Sequence, residues 1–209
     1  VEIRESELRL TEEETERFLD GASGPELTGA EISQLTSLAE GWAAPLWLAA
    51  NARGRFAATL DDVWEALFAY LRQEVLTALP VALGDFLLRT AVLNRLTPTV
   101  CRSLLSDGEH DGRAVARLPK VRRRNLFLRR AASGGPHGEP EYAFHPLFRR
   151  FLRTELPYHF SRAEIEALHR RAGRAWEALG DAHEARHHRE QAGSSGFHGS
   201  PGAPPKPGE

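Results

Sequence analysis

The sequence predicts a mainly α-helical fold, and three observations carry that reading. Apolar residues recur at three- and four-residue spacing through most stretches between Ile32 and Leu179. Helix-starting residues such as Thr11, Thr97-Pro98 and Ser161 stand directly before those stretches. The main strand-like pattern falls between Asn125 and His145, split by a run of glycine and proline.

In chain order, Leu8 and Leu10 alternate with Glu7 and Arg9, a short strand end. Thr11 then opens a helix, with Glu14 placed for a capping box and Gly21 as its stop. Thr28 caps a second helix, whose apolar face is Ile32, Leu35, Leu38 and Ala39, and Gly41 ends it. Pro45 starts a third helix, where the first turn tolerates a residue without an N–H.

From Thr59 or Leu60 a long amphipathic helix runs through Val63, Trp64, Leu67, Phe68, Leu71 and Val75 until Pro80 breaks it. Leu83, Phe86, Leu87 and Thr90-Ala91 share a face of the next helix. Thr97-Pro98, an N-cap followed by proline, launches Val100 to Leu105. Val115, Leu118 and Val121 suggest a further helix that Pro119 kinks or shortens.

Asn125 to Ala131 reads as a strand, Ser133 to Pro140 as a turn and Glu141 to His145 as a second strand. Three helices followed by a hairpin is the winged-helix order. Phe148, Phe151, Leu152 and Leu156 stripe the helix that follows. Ser161 with Glu164 forms another capping box before Ile165 to Leu179, and Gly180-Asp181 turns the chain into Ala182 to Gln191. That last pair has the form of one solenoid repeat.

The expected organisation is a helical subdomain over residues 1–58 and a connecting long helix over 59–79. A winged helix of three helices plus a two-stranded β-hairpin follows over 80–157. A C-terminal helical pair of TPR-like type takes 158–192, and 193–209, rich in Gly, Ser and Pro, is expected to be disordered.

Bulk properties narrow the function. The chain has 209 residues, 41% hydrophobic and 27% charged, with net charge -2, so it has no overall pull toward nucleic acid or anionic membrane. One cysteine, Cys101, rules out an internal disulfide, makes a Cys-based zinc site very improbable, and fits a cytoplasmic location. The apolar run Trp42 to Ala50 falls far short of the roughly 20 residues a membrane span needs. The acidic start has no signal-peptide pattern. Absence of methionine predicts a piece of a longer chain, and arginine supplies all basic residues but Lys120 and Lys206.

Five segments in order carry a family likeness. They are Glu40 to Leu46, Tyr70 to Leu76, Phe86 to Leu93, Arg124 to Leu128, and Phe144 to Leu152. Together they resemble the MalT-like STAND regulators, the large ATP-binding regulators of the LuxR family. The resemblance implies that residues 1–58 hold the C-terminal end of an ATP-binding module and a helical subdomain, followed by a winged helix and the start of a sensor arm. It implies a parent protein that binds ATP or ADP, and a fragment that itself holds no cofactor. No Gly-x-x-x-x-Gly-Lys-Ser/Thr loop occurs in the chain, so no catalysis is expected of it. Implied partners are the chain's own P-loop ATP-binding module, further copies in the active state, an unknown inducer, and DNA through a separate effector domain.

By the same resemblance, Gly41 and Pro45 align with the motif that sets a proline against adenine, and His145 with the histidine that senses the β-phosphate of ADP. An imidazole N–H suits phosphate oxygen, and Pro146 starts a helix whose dipole favours an anion there. The plainer readings are a helix stop with a proline-started helix, and a strand-end histidine bonded to a carbonyl. Lys120, Arg122, Arg123, Arg124, Arg129 and Arg130 form a basic patch where a DNA-binding winged helix would use its third helix and wing. The alternative functions are a DNA-binding winged helix acting through this patch, or a protein-interaction module docking through the final helical pair. The simpler reading of the patch is a solvated face, or one paired with acidic partners in the full protein. His183, His187 and His188 include an i,i+4 pair but no convincing further ligand, so a solvated helix face and no metal are expected. Cys101 is expected to be a buried, inert thiol.

Overall fold

The computed structural model describes residues 10–20, 28–39, 46, 60–105, 118, 121, 127–131 and 134–193. Two short helices open it, α1 (Glu12–Asp20) and α2 (Gly29–Ala39). Each starts with a reciprocal cap. The Thr11 N–H donates to Glu14 at 2.8 Å, while the Glu14 N–H donates to Thr11 Oγ1 at 3.2 Å. Thr28 and Glu31 repeat the arrangement. Leu10 is irregular rather than extended, and Leu8 lies outside the described residues, as do Gly21 and most of the helix expected after Pro45.

Helix α3 (Leu60–Tyr70) buries Trp64, Leu67 and Phe68. The long helix expected as far as Pro80 widens after it into a π-helical stretch, Leu71–Leu76. The Thr77 N–H there reaches back five residues to the Arg72 carbonyl, at 3.0 Å. Apolar spacing does not distinguish the two windings, since Leu71 is buried in either. From the widened turn the Arg72 guanidinium reaches a distant carboxylate, Glu155, at 2.7 and 2.9 Å.

The winged helix follows. Helix α4 (Val81–Thr90) starts after Pro80 and buries Leu83, Phe86, Leu87 and Leu88. Helix α5 (Pro98–Leu104) is capped by Thr97, whose hydroxyl accepts from the Val100 N–H at 3.2 Å. Leu118 and Val121 are helical and fully buried, in keeping with a third helix. The sheet pairs β1 (Leu128–Arg130) with β2 (Tyr142–Phe144), antiparallel, Leu128 opposite Phe144 and Arg130 opposite Tyr142. Both strands are shorter than expected. Phe127 takes φ 52, a left-handed conformation in which a strand cannot continue, and its carbonyl accepts from the His145 N–H at 2.7 Å. On the far side of β2, Leu96 bridges Tyr142 through two bonds of 2.8 and 2.9 Å. The segment before α5 thus adds one residue of a third strand that sequence alone did not suggest.

Helix α6 (Pro146–His159) buries Leu147, Phe148, Phe151, Leu152 and Leu156 and accommodates Pro157 in its last turn. Phe148 is its centre: the Phe127 ring stacks on it at 4.6 Å and Phe144 meets it edge-on at 6.0 Å. Helix α7 (Arg162–Ala178) starts at the Ser161–Glu164 capping box, and α8 (Ala182–Gly193) returns along it after Gly180, φ 77. One continuous apolar core runs from Ile32 through α3 to α6 and into Leu168, Trp176 and Ala185 of the final pair. Burying that many large side chains, at roughly 1.5–3 kcal/mol each, is what opposes the cost of ordering the chain.

Candidate functional site

The junction from β2 to α6 is built by three local choices. Phe144 ends the strand pointing into the core, Pro146 occupies the first helical position, and His145 stands between them as the N-cap with φ -53 and ψ 136. The His145 carbonyl accepts the first helical bond, from Arg149 at 2.9 Å. Its backbone is therefore held on both sides, by Phe127 and by Arg149. The residue is only 7% exposed and sits beside the Phe127–Phe144–Phe148 aromatic cluster. An imidazole so placed lies at the positive end of a helix dipole, where an anion would be favoured.

The other sequence-derived candidates divide sharply. Gly41, Pro45, Lys120, Arg122, Arg123 and Arg124 lie outside the described residues. Arg129 and Arg130 are on β1, the first half-buried and engaged with neighbours, the second exposed. Cys101 is fully buried, and burial pushes its thiol up to about 12, as expected for an inert cysteine.

One expectation fails. His183, His187 and His188 do not share a solvated face, because His188 is fully buried against α7. Its Nδ1 lies 2.9 Å from Nδ1 of His169. Adjacent histidines on a helix point about 100° apart, so one can turn inward while its neighbour stays at the rim. Among the described residues no three His, Cys, Asp or Glu side chains gather as a metal site.

Sequence reading also missed the polar seam between the winged helix and the final pair. Arg95 has its Nη1 3.1 Å from Glu141, its Nη2 bonded to Asp181, and its Nε 3.6 Å from Glu184. Its guanidinium lies 4.7 Å over the Trp176 ring. Burial works against the Arg95 charge, but the bond it donates to Asp181 and the surrounding carboxylates outweigh it and raise its pKa. Beside it Arg153 donates to the carbonyls of Ala91 and Val92 and to Asn94 Oδ1 at 2.9–3.1 Å, and burial lowers it to about 10. These hydrogen-bonded partners are 46 to 86 residues apart in sequence, so no local spacing announces them.

A cleft of ≈ 450 Å³ between α5 and α7 is lined by Arg170, Arg171 and Arg174 with Ser103. Its arginines are largely spent on the protein itself. Arg171 donates to the Leu104 carbonyl at 3.2 Å, and Arg170 lies 3.8 Å from Glu166.

The helices, hairpin and following helix define a winged-helix protein with a helical pair docked on it. The likeness is specific: residues 72–164 match the family model of the MalT winged helix domain. That segment, which contains His145 and Pro146, is similar to the MalT winged helix domain. Among the described residues no helix is long and apolar enough to cross a membrane.

Proposed function

We propose that this chain is a non-catalytic relay within an ATP-dependent STAND-type transcriptional regulator of the LuxR family. It passes nucleotide state from a P-loop module, supplied elsewhere in the parent protein, to a TPR-like sensor arm in the cytoplasm. The observation that carries this reading is His145, N-cap of α6 with Pro146 behind it, inside the segment that matches the MalT winged helix domain.

In the resting state the imidazole N–H donates to a β-phosphate oxygen of ADP held by the P-loop module, with the α6 dipole adding positive potential. ATP and inducer favour the released arrangement and self-association, a population shift between two domain arrangements. DNA is contacted by a separate effector. The reading is supported by how firmly His145 is held, since a sensing group must not relax when its ligand changes.

The test uses the intact regulator. Replacing His145 with alanine is expected to speed ADP release and raise inducer-independent activity, with the same helical content by circular dichroism. Unchanged ADP retention and unchanged regulation would sink the proposal. Salt-dependent binding of this chain to duplex DNA would favour the basic-patch alternative instead.

A further inference from the structure

The His169–His188 contact sits where the two final helices meet the winged helix, and its surroundings connect it to Arg95. The Nδ1 atoms are 2.9 Å apart, so one ring donates and the other accepts, which requires at least one neutral imidazole. His188 Nε2, on the opposite edge, is buried without a hydrogen-bond partner and lies 3.9 Å from Glu184 Oε2. Glu184 meanwhile accepts from Asn94 Nδ2 at 3.2 Å and lies 3.6 Å from Arg95 Nε. Glu184 is thus shared between a histidine on its own helix and two residues of the winged helix.

We propose that the His169–His188 pair is a proton-operated release on this seam. A proton taken up by His188 at Nε2 draws Glu184 away from Asn94 and Arg95, and a proton taken up at Nδ1 abolishes the Nδ1–Nδ1 bond. Either event loosens α8 from α7 and from the winged helix. The release is a property of this chain's own seam and does not rest on the nucleotide reading.

Arg153, His187 and Glu184 act on the pair directly, and the other charged and polar groups around it act through Arg153, Glu184 and Arg95. Arg153 stands on α6, with Arg149 a turn before it. Asn94 and Arg95 stand on the segment between α4 and α5. His187 and Glu184 stand on α8, Asp181 on the turn before it, and Glu141 just before β2. Burial, then Arg153 and His187, push His169 down to about 4. Burial, then His169, His187 and Arg153, push His188 down to about 3. An opened imidazole returns to about 6.5. The open form therefore binds more protons below that value. The closed seam is at full strength above about pH 6.5 and is lost progressively as pH falls toward the folded values.

Amide hydrogen exchange of the whole chain, corrected for intrinsic pH dependence, tests this. Protection of Ala185 to Arg189 is expected to fall up to about a hundredfold per pH unit below about pH 6.5, one decade for each imidazole that gains a proton on opening, while that of Phe86 to Leu88 in α4 holds. His169→Gln is expected to cut the slope to about tenfold per pH unit, with His169→Asn as a second variant. Glu184→Gln is expected to make it shallower. Protection of α8 that does not change with pH would overturn the proposal. So would a slope in both His169 variants as steep as that of the unchanged chain, or parallel loss in α4, which marks global unfolding.

Discussion

Arg95→Ala is the sharpest perturbation the structure offers. The Arg95 side chain is 33% exposed, and it serves Glu141, Asp181 and Glu184, whose side chains are 9%, 22% and 7% exposed. Truncation leaves three carboxylates without the cation they share. Breaking a fully buried pair costs about 3–5 kcal/mol, and an exposed pair about 0–1 kcal/mol. With a third of the arginine in water the ionic part falls near 2 kcal/mol on those limits. Loss of the contact with Trp176 adds about 0.5–1 kcal/mol. The expected loss is about 3 kcal/mol, a fall in Tm of roughly 6–12 °C for a chain of this size. Urea unfolding followed by far-ultraviolet circular dichroism measures it, with unchanged m as the check that only stability moved. Adding Glu184→Gln to the Arg95→Ala variant should recover part of the loss, because a like charge has been removed. A cost under about 0.5 kcal/mol, or no coupling between the two changes, would refute the view that Arg95 holds the seam together.

Three further outcomes are expected. Arg72→Ala strands Glu155, whose side chain is 2% exposed, and should cost about 2 kcal/mol in the same unfolding assay, discounted because Arg72 is half exposed. Thr97→Ala removes the acceptor for the Val100 N–H and should cost about 1 kcal/mol, whereas Thr97→Ser should be nearly neutral. Cys101 should not react with a thiol reagent in the folded protein at neutral pH, and should react fully in denaturant.

Much of the framework was legible because its causes are local. Thr11 with Glu14 and Ser161 with Glu164 signal helix starts through groups three residues apart, and both form the expected bonds. The stripe Phe148, Phe151, Leu152 and Leu156 is buried because three- and four-residue spacing puts those positions on one face. His145 was legible for the same reason, as the residue between a strand and a proline-started helix.

What tertiary structure decided lies wherever partners are far apart in the chain. The inward turn of His188 depends on α7 arriving with His169 opposite it, nineteen residues away in sequence. The reach of Arg95 depends on the wing and two helices converging on one guanidinium. The widening at Leu71–Leu76 leaves no trace in apolar spacing. Periodicity and caps report which face of an element is buried and where it starts. They carry no information on which other element covers that face. By itself, then, the sequence determined the order of helices and hairpin and the position of His145. The fold alone decided that a buried histidine pair and Arg95 would meet where the winged helix joins the final helices, because contacts between distant segments exist only once the chain has closed on itself.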